Sequence, residues 1–136
     1  AGYWQEAGLA PKVEILEFGA YLDVLFDREN RADAIFVSSS NDILDPDRQL
    51  STYYQAGGVG SSNSNQELSA LIDDGRSELD SAKRAEIYQE AVKIAYDGAY
   101  FVWTVNNQDV YGAATRLEWT PRVDSKMLVK EMAVTS

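Results

Sequence analysis

The chain has 136 residues, of which 45% are hydrophobic and 25% charged, a composition typical of a single globular domain rather than of a disordered segment. Its 22 acidic and 12 basic residues give a formal charge of −10, which argues against nucleic acid and anionic membranes as partners because both need a basic surface. It has no cysteine and no histidine, so disulfides, thiol nucleophiles and histidine-based catalysis are excluded, and we expect no metal and no cofactor.

Two features of the sequence bear on where the protein works. No apolar stretch approaches the roughly 20 residues that a transmembrane helix needs. The first residues, Ala1-Gly-Tyr-Trp-Gln-Glu6, lack the basic start and apolar core of a signal peptide. The sequence therefore predicts either a cytoplasmic protein or a mature or trimmed piece of a longer one.

The first third of the chain shows the pattern of a βαβ unit. Residues 12–18 and 34–37 are short apolar runs and are predicted as strands. Between them, residues 20–31 have the spacing of an amphipathic helix. Strand, helix and strand with short joints predict two parallel strands and a right-handed crossover. A short helix over residues 3–7, ended by Gly8, precedes this unit.

Helical patterns dominate the middle of the chain. A short helix is predicted over residues 50–54, entered from Pro46. The capping-box pattern from Ser64 to Glu67 predicts a helix over 65–77, and Asp80 is predicted to cap a helix over 81–97 that Gly98 ends. The two longer helices are expected to bury Leu68, Leu71, Ile72, Ala85, Tyr88, Ala91, Val92 and Ala95.

The last third favours β-structure. Residues 100–105 and 109–113 are predicted as an antiparallel hairpin with its turn at 106–108, and residues 117–120 and 127–134 as short edge strands. The sequence therefore predicts a single α/β domain over residues 1–136, with a βαβ start, helices and then a β-hairpin.

Three acids follow the second predicted strand, in a polar loop around Pro46. In open α/β sheets, ligands bind at this carboxyl end of the strands. A calcium loop counted from Asp45 fails, because Leu50 stands sixth and Ala56 twelfth where glycine and glutamate are needed. A carboxylate pair for acid–base catalysis remains open. For Asp45 and Asp47 a role in turns and helix caps is favoured, whereas Asp42 is left undecided.

A set of short motifs then gives the chain a resemblance. In order, they are Glu6-Ala-Gly8, Val13-Glu-Ile-Leu-Glu-Phe18, Ala20-Tyr-Leu22, Asp33-Ala34, Asp42-Ile-Leu-Asp-Pro-Asp47, Ser64-Asn-Gln-Glu-Leu68, Asp80-Ser-Ala-Lys-Arg-Ala85 with Tyr88 and Glu90-Ala91, and Asp109-Val-Tyr111. In this order and spacing they resemble the C-terminal lobe of family 5, the dipeptide/oligopeptide/nickel class of extracytoplasmic solute-binding proteins of ABC transporters. Each motif is short, and together they span most of the chain.

The resemblance implies a fold and a set of partners. Members of the class are several times longer than this chain and fold as two α/β lobes that trap a solute between them. The chain would be part of one such periplasmic-binding-protein-like lobe. The implied partners are a small-molecule or short-peptide solute, the transmembrane subunits of an ABC permease and the remaining lobe of the parent chain. The implied location is periplasmic or extracellular, including a lipoprotein anchored to the membrane, with the signal segment outside this chain.

The resemblance also implies binding without catalysis, at the acidic loop. The acid that matches Asp42 pairs with the α-ammonium of a peptide in peptide-binding relatives. Asn41, Ser40 and Asp45 are the candidates for second contacts. The chain departs from the class pattern at three places, with Ser39 instead of an aromatic residue, Asn63 instead of tyrosine and Ser69 instead of aspartate. The solute therefore stays open among a peptide, a nickel complex, a sugar and an opine.

Two other classes of function remain as alternatives. One is a hydrolase that uses paired carboxylates at the same loop, against which the absence of histidine and of a nucleophile motif counts. The other is a protein-interaction domain without a small-molecule cleft.

Overall fold

A computed structural model of the chain describes residues 1–27, 29 and 32–135. It is mixed helical with a small two-stranded antiparallel sheet, roughly α/β. The α-helices of the described part are α1 Gly2–Glu6, α2 Phe18–Phe26, α3 Pro46–Tyr53, α4 Gln66–Ser77 and α5 Ser81–Asp97. The strands are β1 Leu117–Glu118 and β2 Ala133–Val134, and a 3₁₀ turn, Val129–Glu131, precedes β2.

The chain divides into two compact units, Ala1–Phe36 and Val37–Ser136. In the first unit, α1 is followed by Gly8 at φ +85°, so the predicted role of Gly8 after a short helix is confirmed. The α2 helix begins at Phe18 because the side chain of Glu17 accepts a 2.8 Å hydrogen bond from the amide of Gly19. Leu25 is the buried residue of this helix.

The predicted βαβ unit is wrong for this structure. Residues 12–18 and 34–37 belong to no β-ladder, and in the described ranges the β1–β2 pair is the whole sheet. Two physical reasons stand out. The Glu17 cap draws Phe18 into α2, and an apolar strand needs a hydrogen-bonded neighbour, which the described residues do not supply here. Val13 and Ile15 are consequently 67% and 95% exposed. The predicted helix over 20–31 ends earlier, at Phe26, and residues 28, 30 and 31 lie outside the description.

The second unit is built around α3, α4 and α5. The α4 helix packs against both α3 and α5. Asp80 caps α5 as predicted, accepting hydrogen bonds from the amides of Ala82 and Lys83 at 3.0 Å. The predicted capping box is one residue out of register, because Asn65 rather than Ser64 is the N-cap of α4 and accepts from the amide of Leu68 at 3.0 Å.

The core of this unit lies between the three helices and the residues after them. Its buried members are Leu50, Tyr54, Leu68, Ile72, Tyr88, Ala91 and Ala95, and Leu71 packs against them partly buried. The predicted burial of Ala85 and Val92 is wrong, since both are exposed. A single neighbouring helix covers only a narrow stripe of α5, formed by positions 88, 91 and 95, and residues at the edges of that stripe stay outside.

The predicted hairpin over 100–105 and 109–113 is also wrong, because neither segment joins a ladder among the described residues. The aromatic residues of the first segment pack on the helices instead. Phe101 lies 4.8 Å from Tyr54, measured between ring centroids, and Trp103 lies 6.2 Å from the same ring. Val102 and Val105 face away and are 76% and 72% exposed.

The edge strands predicted in 117–120 and 127–134 do form, although each is only two residues long. They pair antiparallel, with Leu117 opposite Val134 and Glu118 opposite Ala133. Thr135 extends the pairing by donating its amide to the carbonyl of Arg116 at 2.9 Å. Across the described ranges, no helix combines the length and the apolar character that crossing a membrane requires.

Candidate functional site

The acidic loop is closed by two reciprocal hydrogen bonds between Asn41 and Asp45. The side-chain amide of Asn41 donates to the carbonyl of Asp45 at 3.0 Å, and the amide of Asp45 donates to Asn41 Oδ1 at 3.2 Å. Within this ring, Leu44 has φ +56° and donates its amide to the carbonyl of Asn41 at 3.2 Å. The loop is therefore a tight turn of fixed shape, and Asp42 lies inside it.

Asp45 anchors this turn to the helices. Its carboxylate caps α3 by accepting from the amide of Asp47 at 2.9 Å, and it also accepts two 2.8 Å hydrogen bonds from the guanidinium of Arg84 on α5. The bonds from Arg84 hold the pKa of the Asp45 carboxyl below its usual range. Both oxygens of Asp45 are engaged, so its position suits a structural role more than direct contact with a solute.

Asp47 belongs to a second set of bonds between helices. It accepts from Arg76 Nε at 3.1 Å and from the hydroxyl of Tyr88 at 3.3 Å, and the bond to Asp47 raises the pKa of Arg76. The guanidinium of Arg84 lies 4.8 Å from the centroid of the Tyr88 ring. Asp45 and Asp47 therefore each face an arginine from a different helix, and the two acids serve the packing of α3, α4 and α5.

Asp42 is held differently. Its carboxylate forms an ion pair with Arg48 of α3, and the side chains of the two residues are 39% and 45% exposed. The ammonium of Lys126 donates to the backbone carbonyl of Asp42 at 3.1 Å. Of the three loop acids, Asp42 thus pairs with an arginine of the helix that directly follows the loop, whereas Asp45 and Asp47 pair with arginines of α5 and α4.

Gln49 fixes the residues that precede the turn. Its side-chain amide donates to the carbonyl of Ser40 at 2.9 Å, and its oxygen accepts from the hydroxyl of Ser39 at 2.9 Å. Asn107 also donates to the hydroxyl of Ser38 at 3.0 Å. The four predicted site residues, Ser40, Asn41, Asp42 and Asp45, therefore form one continuous structure against the first turn of α3.

The other two departures from the class pattern are Asn63, in the loop between α3 and α4, and Ser69, near the start of α4. Asn63 donates to the carbonyl of Tyr54 at 2.5 Å and accepts from the amide of Asn65 at 3.0 Å. The hydroxyl of Ser69 accepts from the amide of Ala56 at 2.9 Å and donates to the carbonyl of Asn65 at 2.9 Å. Both side chains thus satisfy backbone groups of this loop.

Sequence reasoning missed the three arginines that pair with the loop acids, Arg48, Arg76 and Arg84. Arg48 follows Asp42 by six residues across a proline, and Arg84 is 39 residues from Asp45. No local spacing rule connects such pairs. The only sequence signal was the position of Arg84 four residues before Tyr88 on α5, which places both on one face of a helix.

Two cavities adjoin the described residues of this unit. One, of about 240 Å³, lies between α3 and α5 and is lined by Pro46, Gln49, Leu50, Tyr54, Val92, Ala95 and Trp103. The other, of about 340 Å³, is lined by Glu118, Trp119, Thr120, Glu131 and Ala133 beside the two-stranded sheet. The described residues contain no group of three or more acids that are arranged to hold a metal ion.

Comparison of the chain with protein-family models, with curated proteins and with solved structures finds no match.

Proposed function

We propose that the chain is part of the C-terminal lobe of an extracytoplasmic solute-binding protein of an ABC importer. In this proposal the protein binds a small amine-bearing solute, such as a short peptide, between two lobes and does not alter it chemically. The observation that carries the proposal is the contrast between Asp42 and the other two loop acids. Asp45 and Asp47 are engaged in bonds to α5 and α4, whereas Asp42 pairs with Arg48, six residues along the chain in α3.

The turn presents Asp42 in a way that favours recognition of an ammonium group. The Asn41–Asp45 bonds fix the backbone on both sides of the carboxylate, so little conformational entropy is lost when a solute binds. A carboxylate and an ammonium group form a charge-assisted hydrogen bond, which is stronger than a neutral one. Closure of a second lobe over the turn would exclude water and strengthen this bond further.

The candidate second contacts divide into two kinds. Asn41 and Asp45 are occupied in closing and anchoring the turn, so we assign them the positioning of Asp42. The carbonyl of Ser40 is used by Gln49, but the hydroxyl of Ser40 has no partner among the described groups and is therefore our candidate for a direct contact with the solute.

Exposed β-favouring segments support a role for the remaining lobe of the parent chain. Val13 and Ile15 in one segment, and Val102 and Val105 in another, are each at least 67% exposed. Extended apolar segments of this kind are ready to pair with other strands. We propose that strands elsewhere in the parent protein pair with them, and that the closed protein delivers its solute to the transmembrane subunits of a permease from a periplasmic or extracellular location.

The geometry favours binding over a carboxylate-pair hydrolase. A general acid or base must be within reach of the substrate and must exchange a proton. The carboxylate of Asp45 is held ionised by two bonds from Arg84, and Asp47 is bonded to Arg76. The bonds from Arg84 suit Asp45 poorly to proton exchange.

The test is a titration of the parent protein with the amine-bearing solutes that co-purify with it, identified by mass spectrometry. We expect Asp42→Ala to weaken binding by roughly 1.5–3 kcal/mol, the range for hydrogen bonds to charged groups. Asp97→Ala is the matched control, because it removes an exposed acid that pairs with Lys93 at the end of α5. Unchanged affinity of Asp42→Ala in calorimetry would refute this role of Asp42.

A further inference from the structure

The cleft between α3 and α5 has almost no polar surface. One wall is formed by Pro46 and Leu50 of α3, the other by Val92 and Ala95 of α5, and Trp103 closes a third side. Its volume is about 240 Å³. For comparison, an apolar cavity of about 150 Å³ in another protein stays dry and binds benzene. The cleft is therefore large enough for a phenyl ring with a short aliphatic stem.

Two aromatic rings shape the cleft for a flat group. Tyr54 and Trp103 are nearly parallel, with an interplanar angle of 19° and ring centroids 6.2 Å apart. Of the lining residues, Tyr54 and Ala95 are buried, at 7% and 3% exposure, whereas Trp103 is 64% exposed. Offset and edge contacts between aromatic rings add to the gain from burial. This arrangement favours an aromatic occupant that enters past Trp103.

Gln49 is the polar residue of the lining, and its amide is turned to the acidic loop. The nitrogen donates to the carbonyl of Ser40, and the oxygen accepts from the hydroxyl of Ser39. With both ends of the amide engaged, Gln49 is expected to contribute its aliphatic stem to the cleft. A charged or strongly hydrated group would lose its water here without gaining hydrogen bonds, which is unfavourable.

The cleft and the acidic loop share the first turn and a half of α3. Arg48 pairs with Asp42, and the next residue, Gln49, is bonded to Ser40 and lines the cleft. Pro46, which also lines the cleft, directly follows Asp45. The acidic loop and the cleft are therefore neighbours along the start of α3.

We propose that the cleft between α3 and α5 binds the aromatic group of the same solute whose ammonium group is bound by Asp42. The inference rests on the proposed function and narrows it, because it makes the solute class an amine with an aromatic ring on a short linker. A ring in the cleft and an ammonium group at the turn would together set specificity, the first by burial and the second by charge.

Three probes separate the two halves of this site in titrations of the parent protein. They are 2-phenylethylamine, which has both groups, ethylamine, which lacks the ring, and 2-phenylethanol, which lacks the amine. We expect 2-phenylethylamine to bind about tenfold or more tightly than ethylamine, because burying a phenyl group is favourable by more than one factor of ten in binding. Ligand-observed NMR and calorimetry measure both affinities.

A filled cleft provides the decisive variant. Val92 is 48% exposed at the edge of the cleft, so Val92→Trp occupies the space without entering the buried core. Ala85→Trp is its control, since it adds the same side chain at an exposed position of the same helix. We expect Val92→Trp to abolish the advantage of 2-phenylethylamine and to leave ethylamine binding unchanged, which also reports that the variant is folded. Ala85→Trp should bind both amines as the unsubstituted protein does.

The possible outcomes test the cleft and the amine site at Asp42 separately. If the two amines bind equally well, and if Asp42→Asn abolishes this binding while Val92→Trp does not change it, the role of the cleft is overturned. The proposed amine site then stands. If Asp42→Asn leaves the affinity for the amines unchanged and Val92→Trp abolishes binding of 2-phenylethanol, the amine site is overturned. The cleft is then supported as a site for an aromatic group. A change in oligomeric state in Val92→Trp alone would show that a second copy fills the cleft, and would overturn the inference.

Discussion

Arg84 and Asp45, 39 residues apart in the sequence, are joined by two hydrogen bonds of 2.8 Å each between guanidinium and carboxylate. Arg84 also donates through Nε to the carbonyl of Gly75 at 2.9 Å. One side chain on α5 thus connects the acidic loop to the C-terminal part of α4. Because Asp45 closes the turn that holds Asp42, this pair controls the shape of the candidate binding site from a distance.

Substitution of Asp45 separates its two roles. Asp45→Asn keeps a good N-cap for α3 and loses the charge, whereas Asp45→Ala loses both. We expect both variants to be less stable than the unsubstituted chain. Asp45→Ala should be less stable than Asp45→Asn by about 1 kcal/mol, the usual value of an N-cap. Urea unfolding measures the order. If Asp45→Asn is as stable as the unsubstituted chain, the ion pair between Arg84 and Asp45 adds no net stability.

The contact between α4 and α5 depends on Gly75. A methyl group at this position would lie 2.6–2.9 Å from atoms of the Tyr88 ring, closer than carbon atoms approach. Alanine in place of glycine inside a helix normally adds about 1 kcal/mol of stability. Here we expect Gly75→Ala to lower the free energy of unfolding by about 1–3 kcal/mol, the usual cost of overpacking.

The double variant with Tyr88→Leu tests this explanation. Tyr88→Leu removes the ring, so Gly75→Ala should become neutral or stabilising in that background. Thermal unfolding of the four proteins in the cycle gives the coupling directly. If Gly75→Ala destabilises equally in both backgrounds, the ring of Tyr88 is not the reason for the glycine.

The helices of the second unit follow from local signals, and that is why the sequence predicts them well. Asp80 and Gly98 mark both ends of α5, and Tyr88, Ala91 and Ala95 recur at helical spacing on its buried face. Pro46 similarly marks the start of α3. These signals act within a few residues, so they hold whatever the rest of the chain does.

The strands depend on partners, and local patterns do not reveal whether the partner is present. Residues 12–17 favour β-structure by composition, yet they pair with none of the described residues. Likewise, the composition of the sequence predicts the acidic loop, but it does not predict the different roles of Asp42 and Asp45. The role of Asp45 is set by Arg84, whose contact with the loop exists only after α5 has packed in the fold.

Burial of Tyr54 makes its ionisation a probe of the core. Burial raises the pKa of Tyr54 from 10.0 to about 12, because the phenolate loses hydration. The neutral form is thus favoured by folding, and this contribution to stability is full below pH 10 and is lost as the pH rises through about 12. We expect Tyr54→Phe to remove a late phase from the phenolate absorbance titration and to make the alkaline loss of stability less steep. An unchanged late phase in Tyr54→Phe would place the perturbed phenol elsewhere, with Tyr88, whose pKa is also raised mainly by burial, as the next to test.

In the proposed function, Arg48 and the ammonium group of the solute compete for Asp42. The ion pair between the two side chains is half exposed, and pairs of this kind are typically worth at most about 1 kcal/mol. An ammonium group that binds Asp42 has to displace Arg48 or share the carboxylate with it. We therefore expect Arg48→Ala to raise the affinity for 2-phenylethylamine by up to about fivefold.

The control is Lys93→Ala, which removes one positive charge from an exposed ion pair on α5 and should leave the affinity close to that of the parent. A general electrostatic effect would appear in both variants and fade with added salt, whereas competition at Asp42 appears in Arg48→Ala alone. Weaker binding in Arg48→Ala would mean that Arg48 orients the carboxylate for the solute. In that case the ion pair would be part of the binding site instead of a competitor for it.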